Sequence, residues 1–289
     1  MSGDKPFLVP HSSSLIPRPF TLVALDLDGT LLTDDLRITD RSQAAIRRAR
    51  ERGVTVLLAS ARPPRSMRRY HRELELDTPV VAYNGALVWD VEQSRPLFHE
   101  PLVPDAARAL VAFLRQQHPE LNISLECGDR WYIDDLTEEV RRSIERYEVD
   151  PPHGVACLEQ VLADEAEAIS KILFRGNAQT AERLLASLPP GLAERLHITT
   201  SGDWFCEVMA AGATKAAAIE WTAAHLGLDE SRLLAVGDSP NDIPMLRAAA
   251  LGVAMDNATP LVKEAANVVT ASNNEDGVAQ AIERYVLGE

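Results

Sequence analysis

Cysteine is scarce. The 289 residues hold three, Cys127, Cys157 and Cys206, far apart and never as a Cys-x-x-Cys pair. That excludes a disulfide framework and a zinc knuckle, and reads as the reduced thiols of a cytoplasmic protein. Long apolar runs are also missing, with none approaching the roughly 20 residues of a membrane-spanning helix. The first twenty residues are broken by Asp4, Lys5, Pro6, Pro10, Pro17 and Pro19, which leaves no apolar segment for a signal peptide. Positive charge is short: 29 Lys and Arg stand against 43 Asp and Glu, a formal net charge of -14. Broad binding to nucleic acid or to an anionic membrane is disfavoured on that count, and neither partner is expected.

What is present suits a soluble protein of two packed domains, with 46% hydrophobic residues. Residues 1–18, rich in Pro and Ser, read as a flexible tail. Leu22 to Leu27 is a buried-looking strand that places Asp26 and Asp28 one pleat apart at its carboxyl end. Thr39 to Arg52 has the pattern of a surface helix, and Val54 to Ala59 and Val80 to Tyr83 are further apolar strands. Leu87 to Asp90 and Pro96 to Pro101 look like a hairpin. From residue 88 to residue 198 the order is helices and paired strands without strict β–α alternation, which suggests an inserted α+β domain. The parallel pattern then returns with Leu233 to Val236 and Gly252 to Met255. The expected class is α/β, a Rossmann-like parallel sheet core of residues 19–87 and 199–289 with the insert as a cap.

Two acids on one face of a central strand are costly unless paired or bound to metal. A second acidic cluster, Gly237-Asp238-Ser239-Pro240-Asn241-Asp242, also follows an apolar strand, and in an open parallel sheet ligands gather beyond the carboxyl strand ends. Ser60, after the second strand, offers a hydroxyl to a phosphate, and Lys215 opens a helix where a cation is electrostatically disfavoured. Each also has a plainer reading. Asp28-Gly29 can be a simple turn, Asp238 or Ser239 and Ser60 helix caps, and Lys215 a solvated lysine.

Taken together, Asp26-Leu-Asp28-Gly-Thr-Leu, Ser60, Gly-Ala-Thr-Lys215 and Gly237-Asp238-x-x-Asn241-Asp242 resemble, in order, the four motifs of the haloacid dehalogenase-like hydrolases. Asn84-Gly85-Ala86, Leu251 to Ala258 and Asn273-x-Glu275-Asp276-Gly277 are similar to the Cof-type phosphatase branch, which carries an inserted α/β cap of type IIB. The resemblance implies a Mg2+-dependent phosphatase of small phosphorylated metabolites, sugar phosphates among them. By the same resemblance Asp26 is the nucleophile and Asp28 the acid/base. Leu27, Ser60, Lys215 and Asn241 hold the phosphate, and Asp26, Asp28, Asp238 and Asp242 hold the metal. Arg62, Asn84, Gly85 and Trp131 are candidate substrate-lining residues, as are Arg65, Glu126, Arg130 and Glu207. The plainer readings are a core aromatic for Trp131 and a solvated helix face for the arginines from Arg62 to Arg72. A phosphosugar mutase or a non-catalytic phosphometabolite sensor is the alternative. Two positions depart from the pattern: Ala61 stands where the branch has glycine, and so does Asp256.

Overall fold

The computed structural model of the chain describes residues 19–147, 150–164, 167–201 and 205–289; the tail expected over Met1–Arg18 lies outside them. The chain opens with β1 (Leu22–Leu25), α1 (Asp40–Glu51), β2 (Thr55–Leu58) and α2 (Pro64–Glu73). Thr39 caps α1 by accepting the Ser42 N–H, and Ala45, Ile46 and Ala49 form its buried stripe. Three strands follow as one antiparallel sheet, β3 (Val80–Ala82), β4 (Leu87–Asp90) and β5 (Arg95–His99). A bridge between Ala59 and Val81 joins this small sheet to the edge of β2.

The next stretch holds α3 (Pro104–Gln117), β6 (Ile123–Cys127), β7 (Arg130–Ile133), α4 (Glu138–Tyr147), β8 (Gly154–Val155), α5 (Leu158–Ala163), β9 (Ile169–Arg175), α6 (Ala178–Ser187), β10 (Leu196–Ser201) and β11 (Phe205–Ala210). The chain then closes with α7 (Lys215–His225), β12 (Leu233–Gly237), α8 (Ile243–Ala248), β13 (Leu251–Ala254), α9 (Pro260–Ala265), β14 (Val268–Val269) and α10 (Gly277–Ala281).

The principal sheet runs β14-β13-β12-β1-β2, parallel throughout, so β1 lies between β12 and β2. Its strands are covered on both faces, as parallel sheets require. Val23 and Leu25 join one apolar cluster with Ile46, Tyr70 and Ile282, whereas Leu22 and Ala24 join another with Ile219 and Leu246. Strand order reverses at β1, and the crevice beyond the carboxyl ends of β1 and β12 is where such sheets bind ligands.

The second sheet, β10-β11-β9-β6-β7-β8, has two unlike faces. Ile123, Leu125, Ile172, Phe174, Cys206 and Val208 pack with Leu110 and Leu114 of α3 in a third cluster that shares no residue with the other two. The opposite face carries Ser124, Glu126, Lys171 and Glu207, none more than 4% exposed. Three strands change allegiance relative to the sequence boundaries. β4 and β5, read as the start of the insert, pair with β3; β11, read as core, pairs with β9 and β10, and residue 199 falls inside β10. Pairing between strands, not local pattern, decides this.

At the carboxyl end of β5, His99 Nε2 lies 2.9 Å from Ser170 Oγ of β9. Burial pushes its pKa down from 6.5 to about 4. The folded chain therefore favours the neutral ring, while the unfolded chain takes up a proton below about 6.5. The contribution is whole above that value and is lost as pH falls to about 4. Between those limits the unfolding free energy of the wild type should fall faster than that of His99→Gln, by up to about 1.4 kcal/mol per pH unit. Parallel urea-midpoint profiles for the two proteins would refute this.

Candidate active site

β1 ends at Leu25, two residues earlier than the alternation predicts. The Asp26 N–H still reaches Val236 O at 3.1 Å, but the Asp26 and Leu27 carbonyls accept from Leu31, Thr30 and Leu32 instead of from a neighbouring strand. Gly29, at φ +76°, completes the turn. Asp26 stays buried whereas the Asp28 carboxyl group is 47% exposed, so the two acids beyond the strand end meet very different surroundings. Asn257 Nδ2 braces the turn from outside by donating to Gly29 O at 2.7 Å.

Lys215, with no exposed surface, donates from Nζ to Asp26 Oδ1 and to Asp242 Oδ1, each at 2.6 Å. Burial alone would push the ammonium pKa down; Asp242 and Asp26 more than offset it and hold the lysine above its ordinary value. Asp242 Oδ2 accepts the Asp238 and Ser239 N–H groups, both at 3.0 Å, so this carboxylate ties the loop after β12 to the start of α7. Asp238 accepts Thr30 Oγ1 at 2.8 Å and Ser239 Oγ at 3.1 Å.

Asp26, Asp238 and Asp242 can bring oxygens within 4.8 Å of one another, three acids against one lysine. Burial, then the neighbouring Asp242, lifts Asp238 to about 6. Asp26 is raised well above 3.8 by burial and by Asp242 and Asp238, against the pull of Lys215. Asn241 Oδ1 adds a buried acceptor with no donor. A donor set of carboxylate and amide oxygens with excess negative charge fits a hard divalent cation.

The remaining expected residues divide. Ser60, 1% exposed, gives its N–H to Val81 O and accepts the Arg62 N–H on Oγ at 3.2 Å, which leaves its O–H as the group it can donate. Arg62, expected to line a substrate pocket, grips Asp28 from Nε and Nη2 at 2.7 and 2.6 Å and lies over the Tyr70 ring. Asn84 and Gly85 sit beside the cluster, with Asn84 bonded to Asn241. Trp131 is 8% exposed and stacks under Arg65, itself paired to Glu126 at 2.8 Å. Its contacts are thus those of a buried aromatic at the junction of α2 and β7. Arg130 pairs with Glu167 instead. Of the two departures, Ala61 offers its carbonyl to Lys171 at 2.9 Å, and Asp256 pairs with Lys263 at 2.8 Å.

Thr30, Tyr83 and Lys171 were not singled out from sequence. Lys171 carried a signal, a cation in the apolar interior of the strand Ile169–Arg175. It pairs with Glu207 at 2.8 Å, both nearly unexposed. The Tyr83 hydroxyl lies 2.9 Å from Gly128 O and 3.1 Å from Glu126 Oε2, its one hydrogen bridging β3 to the second sheet.

A Cβ on Gly85, at φ +101°, would stand 2.0 Å from Thr214 O, directly before Lys215. Gly128 is also left-handed, at φ +59°, but has open space around it. Gly85→Ala should therefore cost about 2–4 kcal/mol in urea unfolding, against about 1 kcal/mol for Gly128→Ala. Equal losses would show that the approach to Thr214 places no constraint on the site.

The profile of the haloacid dehalogenase-like hydrolase family matches residues 23–282. The 5-amino-6-(5-phospho-D-ribitylamino)uracil phosphatase YitU of Bacillus subtilis is 31% identical over 268 residues, covering 91% of this chain and 97% of its own. The pyridoxal phosphate phosphatase YbhA of Escherichia coli is 29% identical, covering 92% and 98%. Among solved structures, the subclass IIB sugar phosphatase BT4131 superposes with a TM-score of 0.80 over 92% of this chain and 98% of its own; at 24% identity that is a likeness of fold. No helix among the described residues is long and apolar enough to cross a membrane. With its motifs, its parallel core sheet with an inserted second sheet, and these relatives in agreement, the chain belongs to the haloacid dehalogenase-like hydrolases, as a phosphatase of the Cof type.

Proposed function

We propose that the protein hydrolyses phosphate monoesters of small alcohols, sugar phosphates among them, through an aspartyl phosphate on Asp26. The observation that carries this reading is the buried Lys215 ammonium held between Asp26 and Asp242, with Asp238 adjacent. A purely binding site gains nothing from a buried carboxylate aimed at an anion, whereas a nucleophile needs the adjacent cation to admit one. The relatives support the substrate class, since their names specify a phosphoribityl compound and pyridoxal phosphate.

Lys215 holds one oxygen of Asp26 and leaves the other to attack phosphorus. The P–O bond to the leaving alkoxide breaks as the Asp26–phosphorus bond forms, and Asp28 gives that alkoxide its proton. Asp28 then takes a proton from a water molecule, which attacks the same phosphorus and releases orthophosphate and free Asp26. For the first of these tasks Asp28 must part from Arg62, which holds both its oxygens. Ser60 O–H, the Leu27 amide, Asn241 and Lys215 would orient the phosphoryl oxygens. A magnesium ion held by Asp26, Asp238 and the Asp28 main-chain carbonyl, with Asp242 behind them, would supply charge neutralisation between nucleophile and phosphate.

With p-nitrophenyl phosphate and magnesium the wild type should turn over, chelation should abolish turnover, and Asp26→Asn should lower kcat on the order of 10³-fold or more. Because nitrophenolate leaves without a proton, Asp28→Asn should release about one equivalent and then stall, its dephosphorylation lacking a base. Unimpaired steady turnover in either variant would overturn the assignment, and a wild type that releases no phosphate would overturn the reaction.

A further inference from the structure

We propose that Asn84 is a positioning residue which couples the second sheet to the phosphate-orienting loop after β12; the proposal rests on the phosphatase reading above. Asn84 is 1% exposed and lies outside any strand or α-helix, between β3 and β4. Its Nδ2 donates to Glu207 Oε2 of β11 at 2.7 Å, and its Oδ1 accepts from Asn241 Nδ2 at 2.8 Å. The other oxygen of Glu207 accepts Lys171 Nζ at 2.8 Å, and that ammonium also donates to Ala61 O at 2.9 Å. A buried Lys–Glu pair on the second sheet thus reaches the first in two places. One arm ends on the carbonyl next to Ser60, and the other passes through Asn84 to Asn241.

The backbone is built for this. Tyr83, Asn84 and Gly85 stand at φ +52°, +56° and +101°, three left-handed residues in succession. For a fully buried tyrosine that conformation is an outlier, held only where the surroundings over-determine it. Here the Tyr83 N–H donates to Arg62 O at 3.2 Å and the Asn84 N–H to Ser60 O at 3.0 Å. Asparagine tolerates the region better than most residues. Its amide also meets a need that other side chains of its size do not: it gives a hydrogen to a carboxylate on one side and takes one from an amide on the other. Two polar atoms so engaged make Asn84 a link between other residues, not the substrate contact that its position in the sequence had suggested.

A swap isolates the link. In Asn84→Asp a carboxylate faces Glu207 with no hydrogen between them. In Glu207→Gln one of the two accepting oxygens becomes an NH2 group, so either the Asn84 amide or the Lys171 ammonium is left facing a donor. Combined, the two changes restore the bonds among Asn84, Glu207, Lys171 and Asn241 with one reversed. The amide introduced at position 207 donates to the carboxylate introduced at position 84 and accepts Lys171 on its oxygen, which leaves that carboxylate a second oxygen for Asn241 Nδ2. One change adds a negative charge and the other removes one, so the double variant keeps the wild-type net charge. Each replacement matches the original in size, and the direction of one hydrogen bond is what differs.

Two readouts are taken, the kcat/KM for p-nitrophenyl phosphate and, independent of turnover, the Kd of orthophosphate by calorimetry in magnesium buffer. Each single variant should lose about tenfold in both, and the double variant should return to within about threefold of the wild type. A double variant as weak as the worse single one would overturn the proposal. So would Asn84→Gly with wild-type values, because glycine keeps the left-handed turn and deletes only the amide. Wild type inactive on the ester would sink the phosphatase reading, while the orthophosphate affinities of the wild type, both single variants and the double variant would still decide the link.

Discussion

A lysine ammonium with no exposed surface survives only where carboxylates replace its water, and Lys215 has two of them at 2.6 Å. Much of the local architecture serves that arrangement. Gly85 lets the turn after β3 lie against the backbone at Thr214, which sets where α7 begins and hence where Lys215 points. Gly237 leaves the space that Asp242 occupies, since a Cβ there would come within 2.6 Å of Asp242. Asp242 in turn holds two amides of the loop bearing Asp238. One charge-paired lysine thereby registers three segments that are remote in sequence.

The second sheet meets this centre with its polar face, and the chemistry there follows the same rule. Glu126, Lys171 and Glu207 are too buried to remain single, so Glu126 takes Arg65 of α2 and Lys171 takes Glu207. Arg68 and Asp129 add a further pair across the same junction. Because Arg65 and Arg68 belong to the first sheet's side and their acids to the second, charge matching helps to specify the position of the second sheet, beside the apolar contact that Met209 of β11 makes with the first sheet's cluster.

Residues whose role is set by what immediately precedes them were legible in the sequence. Asp26, Ser60 and Asp238 each follow an apolar strand, and Lys215 opens a helix behind Thr214, so strand-end logic placed all four at one sheet edge. Where a side chain depends on a distant partner, the sequence was silent or misleading. Alternation carried β1 on to Leu27 because nothing local announced that the Leu27 carbonyl would turn to Thr30 and Leu32. Lys171 reads as a stray cation until Glu207, 36 residues on, is brought beside it. Phe205–Ala210 looks like a core strand since it leads into Gly-Ala-Thr-Lys, and only its pairing with β9 and β10 places it elsewhere.

The apolar cluster of the second sheet shares no residue with the two of the first, and between them Tyr83, Arg65, Glu126, Asn84, Glu207 and Lys171 meet through hydrogen bonds and ion pairs. A seam of that kind has an unusual property on separation. The six groups named are ones that water solvates well at their polar ends, while Met209 of β11 adds an apolar contact to the first sheet's cluster. Hydration offsets much of what the broken bonds release, so the seam gains its specificity from matched partners more than from net adhesion.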